Sequence, residues 1–429
     1  MYPFRWKAGA FALCLAAAAS AFASEPDAPQ AVAATSRLTL ADALQRVLDA
    51  NPSLRAAGYA VRASEARRDQ AGLKPPLTLG VDLENALGTR SASGLGAAEL
   101  TLRLGSVIER GDKRARRVAA GVAERELLLV EQDGERLDLL AETARRFLDV
   151  AVGGAELALS REAEKLAQRG RDLTARRVAA AAAGSADAAR ADVALGHAQI
   201  ESARAATSLA SARLALATSW NARSADYGDV AADLYALPPL PAWEALAARL
   251  ARNPDLARYA NEDRLAQARV ALAQAQSRAD IEWSVGVRRL QNERDQAFVA
   301  TLAMPLGAAA RAEPLMREAQ AGRDAVEPKR QAAEAELYRL MFAAHASMGQ
   351  SRERVAAIRE RLLPAARGAL STIEKGYDIG RYGWLELVAA QRDMLALERE
   401  ALDAARDYHR LAIDIERLGG NALGVEGTP

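Results

Sequence analysis

A chain of 429 residues is long enough for a large core, and its apolar half is mostly alanine and leucine, with aromatics at only 5%. That composition suits helices packed closely on one another. Lys and Arg number 57 against 56 Asp and Glu, so no global field marks the chain as a binder of nucleic acid or another polyanion.

In chain order, the first segment places Arg5 and Lys7 before a short apolar run that ends at Ala21 and Ala23. The pattern predicts a secretory signal peptide over residues 1–23. Cleavage after Ala23 would remove Cys14, the only cysteine, and leave a formal charge of −1 with no thiol, disulfide or cysteine ligand. A lipid-modified cysteine wants a small residue before it, and Leu13 stands there. Residues 24–36 read as a flexible segment, and no later apolar stretch is long enough for a membrane helix.

The rest reads as two tandem copies of one plan, residues 37–220 and 243–418. Both begin with a short helix, then Asn-Pro (Asn51-Pro52 and Asn253-Pro254), then a longer amphipathic helix. In the first copy a β-hairpin is expected over about 77–105: Leu77, Leu79, Val81 and Leu83 alternate with polar or small residues, as do Leu100, Leu102 and Leu104 beyond a Gly/Ser-rich loop. In the second, over about 281–306, Ile281, Trp283, Val285 and Val287 alternate, and Phe298, Leu302 and Met304 share a face less cleanly.

Long helices follow each hairpin, over about 111–217 and 313–418. Leu137, Leu140, Ala144, Phe147, Leu148 and Ala151 recur at spacings of three and four. Roughly sixty residues make a rod on the order of 90 Å, more than a globular domain needs. In the second copy the rod runs from about Glu313 to Tyr377, with Pro328 near its start and Pro364 a kink. Gly184 and Gly380 interrupt the helical pattern and read as turns. Residues 221–242 form a linker, and 419–429 a tail that packs irregularly or stays disordered.

Two hairpins with strands of about ten residues, apolar on one side, cannot cover their leucines with helices that leave from one end. Such strands suit a transmembrane barrel with lipid outside and water inside, which assigns Leu79, Val81, Leu100, Leu102, Trp283 and Val285 to lipid and Asp82 to the lumen. Four strands leave open edges, which lipid does not tolerate, so several chains would close one barrel. The alternative left open by periodicity is a surface hairpin packed on the helices.

The order of elements, together with "LGSVIERGDKRARRVAAG", "GYDIGRYGWLELVAAQRDML" and "LTLGVDLENALGT", resembles the TolC-like outer membrane efflux protein family, the last stretch resembling its heavy-metal efflux branch. The resemblance implies a mainly α chain with a small transmembrane β part: a homotrimer with a 12-stranded barrel and an α-helical periplasmic tunnel. The implied partners are a periplasmic adaptor and an inner-membrane pump of the RND type, with energy supplied by the pump and no catalysis in the channel. It implies that the glycine turns form the periplasmic tip, with Gly184, Gly380, Tyr382 and Trp384 at the adaptor-docking surface. At the pore entrance it implies Tyr377, Arg381, Glu386 and Arg190, with Glu386 as a ring of carboxylates favouring cations. Tyr382 and Arg190 depart from the residues expected beside the gate, so family gate bonds do not transfer. For Trp384, docking anchor and packing at the start of a helix both remain open; Glu386 is either a pore ring or a solvated helix face.

No nucleophile motif, phosphate loop or dinucleotide fingerprint is present, so no enzyme and no cofactor is expected. His197, His345 and His409 lack paired metal-ligand spacing. The basic run from Gly111 to Arg117 falls where barrel would meet tunnel, facing lipid head groups or the lumen. Two rivals remain: a periplasmic adaptor, which should carry one helical hairpin within a β-rich module, and a structural coiled coil, which would not need the alternating strands.

Overall fold

The computed structural model describes residues 37–90, 93–250 and 253–420. The expected signal peptide, the segment 24–36 and residues 421–429 of the tail lie outside the described residues. In order the elements are α1 (Leu40–Ala50), α2 (Pro52–Ala71), β1 (Thr78–Glu84), β2 (Glu99–Ile108), α3 (Lys113–Ala179), α4 (Ser185–Thr218), α5 (Trp243–Leu250) and α6 (Pro254–Gln276). They continue with β3 (Ile281–Leu290), β4 (Asp295–Ala303), α7 (Ala308–Asp324), α8 (Val326–Ala357), α9 (Leu363–Asp378) and α10 (Trp384–Leu418).

The 67 residues of α3 form one rod of about 100 Å at 1.5 Å per residue. Its apolar stripe faces its neighbours: Leu140, Ala144, Phe147 and Leu148 are buried, and α2, α4, α6 and α10 all pack along it. Small residues permit the approach. A methyl group at Gly153 would stand 3.4 Å from the Leu209 side chain.

The second rod is not continuous. Pro314 lies inside α7, and a break at Ala325 precedes α8, whose first turn holds Pro328. The kink expected at Pro364 is a π-helical turn over Ile358–Leu362, with the Leu363 N–H bonded to the Ile358 carbonyl. Pro364 has no N–H to offer the carbonyl one turn earlier, and a π-turn absorbs that loss without ending the helix.

The Asn-Pro pairs have the same task in both halves. Asn51 accepts a hydrogen bond from the Ser53 N–H at 2.7 Å and donates to the Ser219 carbonyl at 2.7 Å. Asn253 accepts from the Asp255 N–H at 2.6 Å and donates to the Leu418 carbonyl at 2.6 Å. Each buried amide therefore caps the amphipathic helix it precedes and holds the last turn of α4 or the C-terminal end of α10. Proline at the first helical position removes an N–H that would have no partner there.

Residues 221–242, expected as a linker, are held against the rods. Leu38 and Val230 form a parallel bridge, Tyr227 and Leu234 are buried, and His409 and His345 bond the carbonyls of Leu234 and Pro241 at 2.9 and 3.0 Å. The apolar core is thickest at this level; a separate cluster lies at the far end of the rods, beside the helix turns.

Candidate functional site

The four strands form one antiparallel sheet in the order β1-β2-β3-β4. Directly opposed residues share a face, so the register assigns every side chain. One face carries the rows Leu83, Leu100, Arg289, Gln296; Val81, Leu102, Val287, Phe298; Leu79, Leu104, Val285, Ala300; then Ser106, Trp283, Leu302, and finally Ile108 and Ile281. The helices do not cover it. Leu79 is 71% exposed, Phe298 73% and Leu302 74%, which rules out the surface hairpin packed on helices. From Leu100 to Ile108 the band runs about 26 Å along the strand.

The other face is polar. Asp82, Glu84, Glu99, Glu282 and Asp295 lie on it with only two cations, Arg103 and Arg288. Arg103 pairs with Asp82 at 3.1 Å; Arg288 pairs with Glu84 and Glu99, each at 2.9 Å, and donates to the Thr101 hydroxyl. Gly80 and Gly286 stand directly opposite Arg103 on its two neighbouring strands, and a methyl group at either would crowd its side chain or backbone. The strands β1 and β4 each leave one edge unpaired among the described residues.

At the opposite end of the rods the two helical turns meet. Gly380 adopts φ +80, a conformation that favours glycine, whereas Gly184 has an ordinary φ of −85 and the left-handed residue of its turn is Ala181. Tyr377 is 1% exposed, and its hydroxyl lies 2.9 Å from that of Thr174. The Arg177 guanidinium is centred 4.4 Å from the Tyr377 ring and donates to the carbonyls of Tyr377 at 2.8 Å, Tyr382 at 3.3 Å and Ala182 at 3.2 Å. One side chain thus joins both turns.

Trp384 is 7% exposed and rests on Gly170 of α3. Of its two expected roles, packing at the helix start is the one its burial fits, because an indole turned into the α3–α10 contact offers little surface. The exposed apolar residues beside it are Ile379 and Leu385, which sequence reading missed. Tyr382 is half-buried, its ring over Gly376, where a methyl group would overlap it. Glu386 is exposed and accepts from the Gly383 N–H at 2.9 Å, capping α10. Arg190 is exposed and pairs with Asp187 at 3.3 Å, and the exposed Arg381 lies beside the Tyr382 ring. Arg190, Trp384 and Leu385 line one groove between α4 and α10; Glu386 does not. Arg177 also escaped sequence reading, although a cation in the last turn of a helix is a known carbonyl ligand.

No helix among the described residues is long and apolar enough to cross a membrane, which leaves the exposed sheet face as the apolar surface to be explained. Comparison with known proteins gives its context. Residues 43–222 match the family described as outer membrane efflux protein. The fold is similar to that of the outer-membrane channel OprN (TM-score 0.74, 20% identity, 89% of this chain and 90% of the other) and of CusC (TM-score 0.73, 15% identity, 93% and 96%). Over residues 43–222 the chain thus resembles outer membrane efflux proteins, and over about nine-tenths of its length it has the fold of the channels OprN and CusC. In sequence it is similar, at 28% identity over 89% of this chain and 90% of the relative, to the cobalt-zinc-cadmium resistance protein CzcC of Cupriavidus metallidurans.

Proposed function

We propose that three copies of this chain, each built as a tandem duplication, close a 12-stranded barrel whose apolar face meets lipid, and that their rods form a tunnel through the periplasm. The exposed apolar sheet face with two open edges is the observation that carries this reading, because lipid accepts such strands only when every edge is paired. Leu79, Val81, Leu100, Leu102, Trp283 and Val285 then face lipid, and the Arg103 and Arg288 networks face water.

The channel is a passive part of a tripartite system, receiving cargo from an RND-type pump through a periplasmic adaptor. The cargo is a divalent heavy-metal cation, in keeping with the relative's resistance to cobalt, zinc and cadmium and with a polar face carrying five carboxylates against two guanidiniums. A conduit lined by excess carboxylate favours cations. The adaptor docks on the turns at Gly184, Gly380 and Tyr382, with Ile379 and Leu385 supplying apolar contact. Arg381, Glu386 and Arg190 surround the entrance, and Tyr377, also expected there, is buried and holds the two turns together behind them.

Fractionation with cross-linking tests the assembly: the protein should be found in the outer membrane, and cross-links should stop at three chains. A monomer with an intact pore, or a soluble periplasmic protein, overturns it. A deletion strain should lose resistance to cobalt, zinc or cadmium; loss of resistance to dyes and antibiotics alone overturns the cargo.

A further inference from the structure

The basic run at the start of α3 lies at one border of the apolar band. Strands β2 and β3 there join the helical rods at Ile108 and Ile281, so this is the periplasmic border of the sheet, and the ends of the strands at Glu84, Glu99, Leu290 and Asp295 are at the other. An open recess of 570 Å³ occupies the border. Its floor is apolar: Leu77 is 66% and Ile108 51% exposed, with the half-buried Trp283 beside them. Lys74 and Arg114 line the same recess and are exposed, as is Asp112 on its rim, which leaves an excess of one positive charge among these three.

The charges around the recess are not equivalent. Lys113 is spent on Asp280 at 2.7 Å, and Arg117 holds both oxygens of Glu109. Asp280 also accepts from the Arg110 N–H at 3.0 Å. These pairs brace the strand ends against the helix. Lys74 and Arg114 make no such pair among the described residues, and they share the recess with Ile108 and Trp283 of the face assigned to lipid. Free cations beside an apolar wall, with a tryptophan at the boundary, match a ligand having an anionic head and hydrocarbon tails.

We propose that this recess binds an anionic phospholipid of the periplasmic leaflet, its phosphodiester between Lys74 and Arg114 and its acyl chains along Leu77, Ile108 and Trp283. The proposal rests on the barrel reading. With Asp112 offsetting one of the two cations, the remaining charge at a membrane surface favours an anionic over a zwitterionic head group by roughly fivefold. Bound lipid would fix the depth at which the barrel joins the tunnel.

The test uses the full mature chain in bilayers containing lipids with brominated acyl chains, which quench nearby tryptophan fluorescence. Trp283→Phe identifies the signal belonging to that residue. Brominated phosphatidylglycerol, present as a minor fraction in phosphatidylcholine, should quench Trp283 several-fold more strongly than the same fraction of brominated phosphatidylcholine. In Lys74→Gln/Arg114→Gln the excess should disappear, with phosphatidylcholine quenching and trimer yield unchanged. Equal quenching by the two lipids in the unaltered protein overturns the site and leaves the barrel standing. Quenching by neither lipid overturns the barrel itself. Loss of the preference on adding 10 mM inorganic phosphate, a concentration of order that barely changes bulk screening, would show a free-phosphate site and overturn the lipid assignment.

Discussion

Asn253 illustrates how much one side chain decides. Its amide caps α6 and holds the end of α10, fully buried between them. Asn253→Ala removes the cap and leaves the Leu418 carbonyl without its partner, a loss of about 2–3 kcal/mol. The trimer should dissociate at a lower temperature on heating. Asn253→Asp keeps the capping oxygen but sets a buried carboxylate oxygen against the Leu418 carbonyl, and should lower that temperature at least as much. Trp384 makes a similar point at the tip: Trp384→Ala should cost about 3–5 kcal/mol through the cavity it leaves and so reduce the amount of trimer. Leu385→Ser should leave trimer abundant and weaken adaptor cross-linking, because Leu385 is exposed. If Leu385→Ser lowers trimer as much as Trp384→Ala, the tip surface serves subunit packing instead. Glu386→Gln retains an acceptor for the Gly383 N–H and removes only the charge. Cation preference in planar bilayers should then drop, most at low salt where screening is weakest; unchanged selectivity would take Glu386 away from the entrance.

Among elements, the sheet gives the sharpest contrast, since neighbouring residues on one strand point to opposite faces. Val81 lies in the middle row of the apolar band, while Asp82 pairs with Arg103 on the other face. Val81→Arg should impair insertion by roughly 2–4 kcal/mol if that row lies near mid-bilayer. Asp82→Asn should assemble normally. The two outcomes reversed would invert the faces, and with them the lumen. The rods obey a different economy. Their small residues, Gly153 and Gly170 among them, let helices approach closely, and the π-turn before Pro364 lets the second rod bend without breaking.

At the scale of the molecule, each hairpin contributes half of a sheet, and the halves are joined along β2 and β3 from Glu99–Leu290 to Ile108–Ile281. Neither hairpin alone would be stable in water or lipid. The seam therefore makes the chain one structural unit, and the two rod systems must move with it. At the other end Arg177 and the Tyr377–Thr174 contact bridge the same two halves. Their juncture there is an apolar cluster around Tyr377 and Trp384 with a few hydrogen bonds, rather than a sheet. Arg177→Gln should loosen the tip while leaving the barrel intact, raising single-channel conductance with no change in trimer yield; a fall in yield would make Arg177 a structural residue only.

Much of this was legible in the sequence because it depends on local period and local punctuation. The alternation of Leu79, Val81 and Leu83 marked a two-faced strand, the three-four spacing of Leu140, Ala144, Phe147 and Leu148 marked a rod, and Gly184 and Gly380 marked its reversals. Those signals act over a few residues, and the backbone answers them directly. What lay beyond reach joins residues far apart in the chain. Sequence alternation could not say that β2 pairs with β3, that Arg103 sits between Gly80 and Gly286, or that Arg177 reaches the second turn some 200 residues on, a distance in sequence marked by no period. It could not settle Trp384 either, since an aromatic after a turn has the same pattern whether it faces solvent or a helix. Only the packing of α10 on α3 decided that, by bringing a glycine without a side chain under the indole and leaving Leu385 outside.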